Sequence, residues 1–402
     1  VTDWKQLDET YLMPTYAHIK LPIAIDKGEG NYLYDVDGKK YLDLFTGLAV
    51  NILGHSHPKI VAALKDQGER FLHISNVYLN VPAIRLARRL SALTLKGKVF
   101  FANSGAEATE AAIKLLHKYR KKVAPDRRGV VVLKNGFHGR TLGALKLTRQ
   151  PGVYQDFPVA AVDVLEVEPG NLEELDAALA ERPLAVLLEP VLGSGGVIPL
   201  SDDYLREVEK RARAAGALVC IDEIQTGMGR TGKLFAYQHA GIEPDVILFA
   251  KGIGGGLPLG GIVARPEWSD LFGPGDHGTT FAPSPVACAL GNAVLDVLLE
   301  DGLLDEAAET MKYFWEKLRQ LKADCPAIGE IRGRGYMVGI TTSFDADRVR
   351  RLRLDLLRDG FLIDVTQKTI IRLLPPLTLG KADIDRFIEA LSARLNQMSK
   401  EG

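Results

Sequence analysis

A lysine closing an apolar run is the first residue of this chain that could do chemistry. Lys251 follows Asp245-Val246-Ile247-Leu248-Phe249-Ala250 and precedes Gly252-Ile253-Gly254-Gly255-Gly256. At the carboxyl edge of a buried sheet, desolvation lowers an amine's pKa and makes it a nucleophile for a carbonyl carbon. The plainer alternative is a lysine reaching out to solvent. The glycines after it lack dinucleotide-binding spacing. Asp222 closes a second apolar run, Ala217-Leu218-Val219-Cys220-Ile221, again at a strand's carboxyl end, where open α/β sheets bind ligands. Its carboxylate could hold a cation or a protonated ring nitrogen, or simply cap a turn. Gln225 adds an amide three residues on.

Two further stretches complete the set. Asn103-Ser104-Gly105-Ala106-Glu107 joins a strand to a helix, and the free N–H groups of a helix start can receive an anion. Ordinary capping by Asn103 or Ser104 explains the same residues. Gly136-Phe137-His138-Gly139-Arg140 offers an aromatic face for a planar ligand and a guanidinium for a carboxylate, or else a surface turn. Each signal is weak alone. Together, a phosphate site, a stacking ring, a strand-end acid and a strand-end lysine fit one cofactor, pyridoxal 5'-phosphate. The His55-Ser56-His57 pair has no acid or cysteine nearby at ligand spacing, so no metal is expected.

The elements that must position these groups alternate. Strands are predicted at Lys98 to Ala102, Gly129 to Leu133, Leu184 to Leu188, Ala217 to Ile221 and Asp245 to Ala250, with helices at 106–121, 172–180 and 202–215 among them. Near-continuous apolar strands separated by helices predict an α/β domain with a mostly parallel sheet covered on both faces. The predicted boundaries are an N-terminal segment (1–49), a large domain (50–285) and a smaller α+β domain (286–402) holding a strand at Met337 to Thr342 and helices at 346–358 and from Ala382.

Composition sets the outer limits. The 402 residues include 46% hydrophobic and 25% charged residues, the balance of an ordinary globular protein. Fifty basic against 51 acidic residues leave a net charge of −1, so neither nucleic acid nor an anionic membrane surface is an expected partner. The least polar window, Val246 to Ala264, contains Lys251, Pro258 and six glycines and is not expected to span a membrane. Cys220, Cys288 and Cys325 form no metal or disulfide spacing, and the N-terminal residues contain no apolar leader, so a cytoplasmic location is expected.

Over about residues 10 to 395 the chain resembles the class III, fold-type-I pyridoxal-phosphate aminotransferases, nearest to the branch acting on acetylornithine, ornithine and acetyl-lysine. The resemblance rests on Gly54-His55-Ser56-His57-Pro58, Asn103 to Ala108, Phe137 to Thr141, Leu188-Glu189-Pro190, Asp222 to Gly232, Ala250-Lys251-Gly252, His277 to Thr280 and Arg372 to Pro376. It implies that Lys251 forms the Schiff base with the cofactor and shuttles the substrate proton. Asp222 would pair with the ring nitrogen, Gln225 and Glu189 would line the ring, and Phe137 would stack on it. Gly105 and Ala106, with Ser104 beside them, would hold the phosphate. Thr280, with Thr279 beside it, would reach the phosphate in a partner subunit, which implies a homodimer with shared sites. Arg140, with Tyr16 nearby, would grip the α-carboxylate of the amino donor, and Arg372 that of the acceptor.

The implied reaction is ping-pong transfer of the distal amine of N2-acetyl-L-ornithine to 2-oxoglutarate. Other ω-amine donors (4-aminobutyrate, ornithine, succinylornithine, acyl-lysine), a non-transaminating enzyme on this scaffold and a silent binding protein are the alternatives. Three departures stand out. Ser194 occupies Gly193-Ser194-Gly195-Gly196 where the family often has a glutamate thought to neutralise the arginine matching Arg372. Either Arg372 is then permanently available or Glu189 compensates, and poor switching between the two substrates is expected. Phe281-Ala282-Pro283-Ser284-Pro285 replaces an aromatic-Gly-Gly-Asn-Pro loop, and Ala106 replaces a usual threonine.

Overall fold

The computed structural model describes residues 2–16, 20–150, 152–157 and 161–401. After a first helix, Trp4–Tyr11, come three short strands, β1 (Ile25–Glu29), β2 (Tyr32–Asp35) and β3 (Lys40–Asp43), forming an antiparallel meander. The main sheet contains β4 (Val99–Ala102), β5 (Val130–Leu133), β6 (Val164–Val167), β7 (Ala185–Leu188), β8 (Leu218–Asp222), β9 (Val246–Phe249) and β10 (Gly260–Ala264), in the order β4-β10-β9-β8-β7-β5-β6. β10 runs antiparallel to both neighbours, and the other pairings are parallel. Apolar side chains pack both faces of this sheet: Val131, Val186, Val219 and Ile247 on one, Val130, Leu187, Cys220 and Leu248 on the other. Burial on both faces explains why these strands read as unbroken apolar runs rather than alternating ones.

After the helices Pro285–Leu295 and Leu303–Asp324 comes a second, antiparallel sheet. It contains β11 (Ile328–Arg334), β12 (Met337–Thr342), β14 (Asp364–Thr366) and β15 (Ile370–Leu373), in the order β11-β12-β15-β14. The short β13 (Phe361–Leu362) leaves this region and pairs in parallel with β3, so the two chain ends share a sheet. A two-ended clamp, Arg334 Nη1 and Nη2 to Asp202 at 2.7 and 3.1 Å, ties the second sheet to the helix Asp202–Ala214. No helix among the described residues is long and apolar enough to cross a membrane.

Candidate active site

β4, β8 and β9 deliver their carboxyl ends to one cavity of about 450 Å³. β4 leads through Asn103 into the helix Gly105–Lys122. Ser104 caps that helix, its Oγ accepting from Glu107 N at 3.2 Å, while the Glu107 carboxylate reaches back to Asn103 N at 2.6 Å. This reciprocal arrangement fixes the first turn and leaves the Gly105 and Ala106 N–H groups without intrahelical acceptors. Both residues line the cavity. Capping and anion binding are therefore compatible uses of one junction. A Cβ on Gly105 would lie 2.9 Å from Ile224, so glycine is needed for this close approach.

At the end of β8, Asp222 is buried, with both carboxylate oxygens engaged. Oδ1 accepts from Ile224 N at 3.0 Å and Oδ2 lies 2.7 Å from His138 Nδ1. Beyond β9 the backbone turns abruptly: Ala250 is extended, and Lys251 takes a left-handed φ of 53° at the start of a 3₁₀ turn. A non-glycine residue held there is strained, a condition that concentrates at functional positions. Burial, followed by the charge of Arg372, pushes the Lys251 amine down to about 8, against the opposing pull of Asp222 and Glu189.

Glu189 follows β7 and is buried, which raises its pKa. Its oxygens accept from Phe137 N at 2.9 Å and Gly193 N at 3.2 Å, so it braces two cavity loops. Gln225 lines the cavity with a buried Oε1 that no group among the described residues satisfies. Phe137 also lines it, and the exposed Arg140 places its guanidinium carbon 5.8 Å from the Phe137 ring centroid.

The structure thus brings Ser104, Gly105, Ala106, Phe137, Arg140, Glu189, Asp222, Gln225 and Lys251 to one cavity. Four candidates lie outside its lining. Tyr16 is 65% exposed. Thr280 is exposed beside Thr279, whose Oγ1 accepts from Asn103 Nδ2 at 3.1 Å. Arg372 is buried on β15, and it is neither free nor paired with Glu189. Its Nε and Nη2 donate to Asp364 Oδ2 at 2.8 and 2.6 Å. In this structure the counter-charge of Arg372 comes from Asp364 on β14 rather than from Glu189. Sequence reading missed His138 and Asp364 as partners. His138 lies inside a motif already singled out; Asp364 carried no local signal.

The profile of the class-III aminotransferases matches residues 14–395. An acetylornithine aminotransferase of Methanocaldococcus jannaschii is 40% identical over 99% of this chain and 99% of its own length. One from Caldanaerobacter subterraneus subsp. tengcongensis is 41% identical over 97% and 98%. Among solved structures, an ornithine aminotransferase of Toxoplasma gondii with pyridoxal phosphate at partial occupancy in its active site superposes with a TM-score of 0.93. It is 29% identical, covering 99% of this chain and 95% of its own.

Proposed function

The chain belongs to the class-III aminotransferases, and we propose that within them it transfers the distal amine of N2-acetyl-L-ornithine to 2-oxoglutarate, giving N-acetyl-L-glutamate 5-semialdehyde and L-glutamate. The family's cofactor is pyridoxal phosphate, and the residues present fit it. The unpartnered Gln225 Oε1 suits the ring hydroxyl, the free N–H groups of Gly105 and Ala106 suit the phosphate, and the buried Asp222 suits a protonated ring nitrogen. When bound, the cofactor supplies a carbonyl carbon for an amine to join and a cationic ring that draws electrons from the substrate carbon.

The chain's own residues do the rest. Lys251 would hold the cofactor covalently and, once released by substrate, carry the proton from the substrate carbon, work suited to an amine poised near 8. Asp222 would keep the ring nitrogen protonated by offering a fixed carboxylate. Phe137 would pack against the ring. Arg140, at the cavity mouth with Tyr16 contributing, would take the α-carboxylate of the donor so that the distal amine reaches the carbon held by Lys251 and displaces the lysine from it. Arg372 takes the carboxylate adjacent to the reacting carbon of 2-oxoglutarate and glutamate. A homodimer places Thr280, with Thr279 beside it, at the partner's phosphate site.

The observation that carries this reading is the convergence of Lys251, Asp222 and the Gly105–Ala106 N–H groups on one cavity with a guanidinium at its mouth. Its test is to mix holoenzyme separately with N-acetylornithine, ornithine, 4-aminobutyrate and glutamate, without keto acid, and follow the cofactor's visible absorption. Fast loss with N-acetylornithine and with glutamate is expected. An inert N-acetylornithine beside a reactive ornithine or 4-aminobutyrate would overturn the substrate assignment.

A further inference from the structure

Asp364 and Arg372 are direct cross-strand neighbours of the β14–β15 hairpin. A single oxygen, Asp364 Oδ2, receives two N–H groups of the guanidinium, at 2.8 and 2.6 Å. Both side chains are largely withdrawn from water, 6% exposed for Arg372 and 13% for Asp364. The remaining nitrogen, Arg372 Nη1, is buried with no acceptor among the described residues. A buried charged donor left unpaired is costly, so such a group marks a place for a polar ligand. The same hairpin holds the cavity wall: Thr366 Oγ1 and Gln367 Nε2 both donate to the Ser194 carbonyl, at 2.9 and 2.8 Å, and Ser194 lines the cavity.

The two half-reactions make opposite demands there. The acceptor presents a carboxylate on the carbon beside the one that reacts, whereas a distal amine presents only a methylene chain. A bare guanidinium would hold the first and leave a buried, uncompensated charge beside the second. A carboxylate belonging to the protein resolves the conflict, because it neutralises the arginine throughout and leaves one N–H for the incoming anion. Glu189 does not fill this role: its oxygens accept from Phe137 N and Gly193 N, and the Arg372 guanidinium pairs with Asp364. We propose that Asp364 is a specificity-determining residue, the internal counter-anion of Arg372 that sets how tightly the site holds an α-carboxylate relative to a distal-amine chain. This rests on the proposed ω-aminotransferase function but not on the identity of the donor.

The test uses Asp364→Asn holoenzyme and glutarate, a dicarboxylate that cannot react. Calorimetry is expected to show glutarate binding about tenfold tighter than in the wild type, the factor of roughly one charge-assisted hydrogen bond. KM in the glutamate half-reaction falls in parallel, while KM for the distal amine does not fall. Asp364→Glu, which restores the charge, returns the ratio of the two toward the wild-type value. Unchanged or weaker glutarate binding, or equal losses in both half-reactions, would overturn the proposal in favour of a purely structural pair. If Asp364→Asn does not fold, a crystal structure of wild-type holoenzyme with glutarate decides: a ligand carboxylate on Arg372 Nη1 supports the proposal, and one bound elsewhere rejects it. Glutarate and glutamate are read independently of N-acetylornithine, so an inert N-acetylornithine would refute the substrate assignment alone.

Discussion

His138 Nδ1 lies 2.7 Å from Asp222 Oδ2, and both side chains are almost wholly buried. With Oδ1 held by Ile224 N, this second bond locks the carboxylate's orientation at the end of β8. Hydrogen bonds to a charged group are worth about 1.5–3 kcal/mol. His138→Phe is therefore expected to lower kcat by roughly 10–100-fold, by letting Asp222 swing off the ring nitrogen. Cofactor release by dialysis should accelerate in the same variant. Unaltered kcat and unaltered cofactor retention would show that Asp222 needs no such brace.

A lysine lowered from its ordinary 10.5 to about 8 has a readable pH signature. In cofactor-free protein the neutral, nucleophilic amine fills in as pH rises through about 8. The rate of covalent capture of pyridoxal phosphate should rise over that interval and then level off. Stability follows the same sign. Between about 8 and 10.5 the unfolded chain binds the proton that the folded chain has lost, so this group makes the cofactor-free protein more stable as pH rises there. Arg372→Gln removes a positive neighbour and should move the capture midpoint upward. A wild-type midpoint near that of free lysine would contradict the burial argument.

Gly193 and Gln225 compete for space. A Cβ on residue 193 would stand 1.8 Å from Gln225 Oε1 and 3.0 Å from the Met337 methyl. Because the clash falls on the tip of a side chain, Gly193→Ala is expected to fold and to turn Gln225 away from the cavity. Loss of one hydrogen bond to the cofactor, worth about 1 kcal/mol, predicts a several-fold weaker cofactor dissociation constant. Unchanged affinity by equilibrium titration would mean that Gln225 does not contact the ring.

These cases show what could be read from sequence. Helices at 172–180 and 346–358 and the strand Met337–Thr342 have the expected bounds, because caps such as Asn171 and Asp345 and clear periodicities mark them locally. β10 escaped notice because it opens on Gly260-Gly261; a Cβ on Gly261 would lie 2.1 Å from the Phe100 carbonyl, so glycine there reflects close strand approach rather than a loop. The residues at the ends of β8 and β9 were legible because an apolar run terminating in Asp222 or Lys251 is a local pattern. Their partners were not. His138 meets Asp222 only through the packing of two separate loops. Asp364 meets Arg372 through a hairpin whose turn uses Gln367 and Lys368 at φ of 48° and 66°, where the expected signal would be Asn-Gly.

Val77, Tyr78, Leu79 and Phe281 are 82%, 69%, 85% and 67% exposed, a concentration of large apolar side chains that a lone chain would leave in water. They are held in place rather than loose. Asn76 Nδ2 donates to the carbonyls of Thr279 and Ala282 at 3.2 and 3.1 Å, and Asn80 Nδ2 to that of Pro283 at 2.9 Å, so the 76–84 segment carries the loop bearing Thr280. Covering the patch with a second copy would present Thr280 to the partner's site. Sedimentation is expected to give twice the 43.9 kDa chain mass. Leu79→Arg should shift it toward monomer and abolish turnover. Thr280→Ala should leave the dimer intact and weaken cofactor binding about tenfold, one hydrogen bond to a charged phosphate. A fully active monomer would refute the shared site. A dimer in which Thr280→Ala changes nothing would keep the interface and remove the threonine from it.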